Sequence, residues 1–90
     1  MTEKQIEAAL RQKVRAAGGL ALKWVSPGCA GVPDRIVILP GGRIHFIELK
    51  APGQKPRALQ LHVMARLRAL GCSCQVIDTL AGVEAFMLQW

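Results

Sequence analysis

Ninety residues with a hydrophobic fraction of 51% and 20% charged side chains make one compact domain and exclude a disordered chain. No apolar run approaches the roughly 20 residues of a membrane span, and the charged stretch from Met1 to Arg15 is unlike a secretory leader, so a cytoplasmic setting is expected. The net charge of +6 suits a polyanionic partner, while three cysteines (Cys29, Cys72, Cys74) without paired-ligand spacing suggest reduced thiols rather than a zinc centre.

Thr2-Glu3-Lys4-Gln5 reads as a capping box opening a helix to about Ala17, stopped by Gly18-Gly19. Ile6, Ala9, Leu10, Val14 and Ala17 form its apolar stripe. Glu7 borders that stripe, and two readings fit it: a solvated helix-face glutamate, or one leaning over a sheet toward acids further along the chain. Leu20 to Val25 alternates as a half-buried strand, with Leu20, Leu22 and Trp24 on one side. Ser26-Pro27-Gly28-Cys29-Ala30-Gly31 is a loop by composition, whose glycines serve either a turn or close approach of the backbone to phosphates.

Gly31 to Lys50 is the most informative stretch. Two β-branched runs flank Pro40-Gly41-Gly42, a hairpin signal. With residues 40–42 as the loop, Leu39 faces Arg43 and Asp34 faces Glu48, with Cβ atoms roughly 4.5–5.5 Å apart. The period of two sends Lys50 to the same face, together with Ile36, Ile38, Ile44 and Phe46, so that face is expected to be the buried one. Two carboxylates and an ammonium beside a core call for a partner, because desolvating a charge is costly, and a divalent cation would satisfy both acids. His45 lies on the opposite face, and both histidines read as structural or solvent-facing.

Ala51 to Arg57 is a basic turn-rich loop, with Pro56 fitting the first turn of a second long helix whose stripe is Leu59, Val63, Leu67 and Leu70. Gln60 in its first turns is either a surface glutamine or a site residue. Gly71 ends that helix, and Ser73 to Ile77 is a fourth strand, which the crossover should set parallel to the third. Asp78 or Thr79 caps a last helix, where Val83, Phe86, Met87 and Trp90 form a stripe that fits either core or half of a dimer interface. The expected fold is α/β, αβββαβ(α), a mixed four-stranded sheet flanked by helices.

This element order, with Pro33-Asp34 on the second strand and Glu48-Leu49-Lys50 on the third, resembles the PD-(D/E)XK nuclease superfamily and its restriction-endonuclease-like core. Lys23 through Gly28, Gly31-Val32-Pro33-Asp34-Arg35 and Glu48 through Gly53 look like the VRR-NUC family, in the stand-alone form found in phages and prophages, over nearly the whole of residues 1–90. The family's helix glutamate matches Glu7 in Ile6-Glu7-Ala8-Ala9-Leu10, and its helix glutamine matches Gln60. The resemblance implies a Mg2+- or Mn2+-dependent endonuclease, a homodimer cutting branched DNA and Holliday junctions especially. Asp34, Glu48 and the Leu49 carbonyl would hold the metal, Glu7 reaching it through water. Lys50 would orient or deprotonate the attacking water, with Gln60 fixing the geometry. Ser26, Lys55 and Arg57 are the candidate DNA contacts, with Lys4, Arg11, Arg66 and Arg68 as further phosphate contacts. Flap or nicking activity, a restriction-like nuclease and a non-catalytic basic nucleic-acid-binding module are the rival readings, and nothing suggests a base-reading helix.

Overall fold

A computed structural model describes residues 1–90. Helix α1 (Glu3–Ala16) starts as its sequence dictates: the Gln5 N–H donates to Thr2 Oγ1 (3.2 Å) and the Thr2 N–H donates to Gln5 Oε1 (2.7 Å), satisfying orphan donors of the first turn. Strands β1 (Leu20–Lys23), β2 (Arg35–Leu39) and β3 (Arg43–Leu49) form an antiparallel meander. Helix α2 (Ala58–Ala69) then crosses over to β4 (Ser73–Ile77), which pairs parallel to β3, giving a mixed sheet of order β1-β2-β3-β4. Helix α3 (Leu80–Gln89) closes the chain, its N-terminus capped by Thr79 Oγ1 accepting from the Gly82 N–H. The hairpin loop is residues 40–42, with Leu39 opposite Arg43 and both Gly41 and Gly42 at positive φ, as a tight three-residue connection requires.

The sheet faces are distributed differently from the expectation. The ten-residue core joins Ile6, Leu10 and Val14 of α1 to Val37, Leu39, Ile47 and Leu49 of the sheet, then to Ile77, Val83 and Phe86. It therefore lies on the face opposite Asp34 and Glu48. Helices α1 and α3 both pack there, and one sheet face covered by two helices buries more apolar area than the other covered by one. Helix α2 spans β4 and the adjoining part of the second face, where Ile36, Ile38 and Phe46 are only half-buried and Ile44 is 50% exposed. The β1 alternation holds, but with its leucines outward: Leu20 is 57% exposed while Ala21 packs on the core. Helix α2 differs similarly. It begins at Ala58, after Pro56, and its one buried residue is Met64, the expected stripe of Leu59, Val63, Leu67 and Leu70 facing a cleft or solvent. In the last helix Val83 and Phe86 are core residues. His45 is buried on the core face between Phe86 and Trp90, its Nδ1 2.7 Å from Ser73 Oγ. Burial, then the charge of Arg43, holds its imidazole below the ordinary range.

No helix is long and apolar enough to cross a membrane.

Candidate active site

Asp34 stands one residue before β2 and Glu48 one residue before the end of β3. Arg35 pairs with Ile47, so the next step outward along the ladder sets Asp34 against Glu48. One Asp34 oxygen, Oδ2, accepts the Leu49 N–H at 3.0 Å, which fixes the aspartate over the end of β3. Glu48 is 1% exposed. Its Oε2 accepts from Gln60 Nε2 (2.7 Å) and pairs with Lys50 Nζ (3.1 Å), while its Oε1 is buried and has no partner. Burial, and next the negative charge of Asp34, raises the Glu48 carboxyl above its ordinary range, with Lys50 pulling the other way. A buried polar atom without a partner costs about 1–3 kcal/mol, more when charged. Two carboxylates, one carrying an orphaned oxygen, are the hard-oxygen donor set that suits Mg2+ or Mn2+. The residues fit a divalent cation.

Gln60 is held from both ends. Its Oε1 accepts the Arg57 N–H (2.9 Å) at the N-terminus of α2, so the helix end aims Nε2 at Glu48. Lys50 is anchored by its backbone N–H donating to the Ile77 carbonyl (3.1 Å). The loop leading to Asp34 rests on α2 through Gly31, whose φ is +86° and where a Cβ would meet Leu59 Cγ at 2.9 Å. A side chain there is excluded by both conformation and space. Gly31→Ala should therefore lower stability by about 1–2 kcal/mol or more, read as a fall in Tm of roughly 5–15 °C.

Glu7 is not brought to the two carboxylates. It pairs with Arg35 (Oε1 to Nη2, 2.7 Å) on the α1 side of the sheet, and Arg35 also donates to the Ala21 carbonyl (3.3 Å). No group of three or more His, Cys, Asp or Glu side chains gathers into a metal-binding cluster. Arg35 follows Asp34 directly, so the period of two turns it to the opposite face, which α1 covers. Lys55 and Arg57 are exposed on the β3–α2 connection, and Ser26 is half-buried in the β1–β2 loop, its carbonyl accepting from the Cys29 N–H. Residues 49–77 contain five Lys and Arg and no Asp or Glu, so the stretch that follows Glu48 is uniformly cationic. Within that stretch Arg68 is engaged, donating from Nε to the Cys74 carbonyl at 2.9 Å.

No family model matches the chain. It is 54% identical over 77 residues to "Putative nuclease p44" of Acyrthosiphon pisum secondary endosymbiont phage 1, covering 86% of this chain and 83% of that protein. A solved structure described as "VRR_NUC domain" matches it with a TM-score of 0.91 at 30% identity, covering 100% of this chain and 99% of the other. The chain belongs to the VRR_NUC family. The α/β architecture and mixed four-stranded sheet are those of that VRR_NUC domain.

Proposed function

We propose that this VRR_NUC chain is a Mg2+- or Mn2+-dependent endonuclease that hydrolyses phosphodiester bonds in branched DNA, working as a homodimer on four-way (Holliday) junctions. Nuclease activity as such is supported by the family and by the nuclease relative. The finer reading rests above all on the partnerless buried oxygen of Glu48 beside Asp34, an acidic point in a chain of net charge +6. Asp34, Glu48 and the Leu49 carbonyl would hold the cation. A bound divalent cation supplies an acidified water and neutralises charge at the scissile phosphate. Lys50, with its Nζ 3.1 Å from Glu48 Oε2, offers its remaining N–H groups to a phosphate oxygen or to the attacking water. Gln60 holds the Glu48 carboxylate in one orientation, which is positioning rather than chemistry. Glu7 acts at one remove: through Arg35 it steadies the residue next to Asp34. Lys55 and Arg57, with Ser26, are suited to phosphate contacts that orient the duplex.

One such site cuts one strand, and resolving a junction takes two symmetric cuts, which a twofold dimer supplies. The part of the sheet face that α2 leaves bare, with Leu20, Leu22 and Ile44 exposed, is apolar surface that a second copy would cover. The test is incubation of the purified protein with linear, flapped and four-way DNA, with Mg2+, with Mn2+ and with chelator, beside sizing in solution. Paired incisions in the four-way substrate, absent in chelator, are expected from a dimer. Salt-sensitive DNA binding with no turnover in any metal would instead make this a binding module, and a monomer cutting flaps would remove the junction assignment.

A further inference from the structure

A concavity lies beside the stretch that leads into Asp34, with Val32 in its lining. A cleft of about 270 Å³ separates α2 from the β1–β2 connection; Trp24 and Val32 line one wall, Val63 and Leu67 the other, with Ser26 and Arg66 also lining it. Its apolar lining is what remains of the α2 stripe that the core does not use. Trp24 is anchored twice: its ring packs tilted against Phe46 (centroids 5.1 Å apart, planes at 38°), and its backbone N–H donates to the Asp34 carbonyl at 2.9 Å. The aromatic wall and the carboxylate thus belong to paired residues of one ladder. The opposite wall is held close, because Gly31 seats the connecting loop on Leu59.

We propose that this cleft takes an unpaired nucleobase of the DNA strand held at Asp34 and Glu48, stacked on Trp24; the proposal rests on the nuclease reading for its choice of strand. The occupant follows from three observations. Trp24 in the cleft wall is tied to the carboxylate site, its backbone N–H donating to the Asp34 carbonyl. The whole segment 49–77, which includes the α2 wall, carries five cations and no acid, so a polyanion is what it attracts, with Arg66 in the cleft lining suited to an adjoining phosphate. Its volume lies below the usual 300–1,000 Å³ of small-molecule pockets, so the occupant is a small group. A base already unpaired at a branch enters without the unstacking energy that a paired one requires. The cleft would therefore favour branched over continuous duplex DNA, by shape and stacking rather than by sequence.

The chain has two tryptophans, and Trp90 lies against His45 on the other face, so the Trp90→Phe protein carries Trp24 as sole reporter. In chelator, this protein is titrated with a short single-stranded oligonucleotide and with an abasic strand of equal phosphate number. The base-bearing strand should quench Trp24 emission and bind about 5–150-fold tighter, the range expected for one stacked base. Val63→Phe, filling the cleft from α2 with the fold verified by circular dichroism, should erase that difference. Equal affinities with Trp24 unquenched would overturn the proposal, without recourse to any cleft variant. A folded Val63→Phe protein that keeps the difference would overturn it too, as would quenching that tracks protein concentration and not DNA, which assigns the cleft to a second copy. Since cleavage is blocked in chelator, base-dependent quenching in a protein that never cuts DNA counts against the nuclease reading alone.

Discussion

Asp34→Ala and Glu48→Ala are each expected to reduce cleavage by about 10³-fold or more, the scale of losing several kcal/mol of metal-assisted transition-state stabilisation. DNA binding should change little, since the contacts proposed to hold the duplex would come from Lys55, Arg57 and the acid-free segment around them. The reason for expecting separation is geometric: Glu48 is buried and hydrogen-bonded to Gln60 and Lys50, so it presents little to DNA directly. Gln60→Ala should fall between wild type and these variants, at about 10–100-fold, because it removes the group that orients a ligand and not the ligand. Single-turnover cleavage and filter or anisotropy binding on the same substrate measure both quantities. Wild-type cleavage by either alanine variant would end the assignment of the site, and a parallel loss of binding would recast the acids as structural.

The second large effect is on stability. Burial and the neighbouring Asp34 keep the Glu48 carboxyl protonated to higher pH when folded than when unfolded. Between those two pKa values the folded state binds more protons, so Glu48's contribution is complete below the unfolded value and is lost as pH rises through the folded one. His45, held neutral by burial, has the opposite sign, favouring the fold as pH rises. The informative quantity is thus the difference between wild type and Glu48→Gln, in which His45 cancels. In chelator the glutamine variant should gain on wild type in Tm as pH rises above the ordinary carboxyl range, levelling off once Glu48 is ionised in the folded protein. Mg2+ or Mn2+ is expected to bind the ionised carboxylate and so to reverse this for wild type only. At 100 times Kd the stabilisation is about 2.7 kcal/mol, roughly 10–20 °C in a domain this size. A wild-type Tm indifferent to both ions, or a Tm difference between the two proteins that does not change with pH, contradicts the two-carboxylate cation site.

Much of the site was legible because its information is local. The three-residue hairpin loop sets register, register sets which residues oppose each other, and a period of two sets their face. Hence Leu39 against Arg43 and Asp34 against Glu48 followed from counting. The Thr2 capping box and Thr79 cap are likewise decided within four residues. Glu7 was harder, because a helix-border glutamate can lean either way, and only packing decides between a carboxylate site and Arg35.

By itself, the sequence determined the element order, the hairpin and its register, the caps, and the pairing of one aspartate with one glutamate beside a lysine. The tertiary structure alone decided which sheet face became the core, because alternation marks two faces as different without saying which one two helices will cover. It also decided that Glu48 ends with an unpartnered oxygen, that Gln60 reaches back to it across the crossover, and that Trp24 and α2 enclose a cleft. Those features depend on side chains distant in sequence meeting at particular angles, and periodicity carries no information about that.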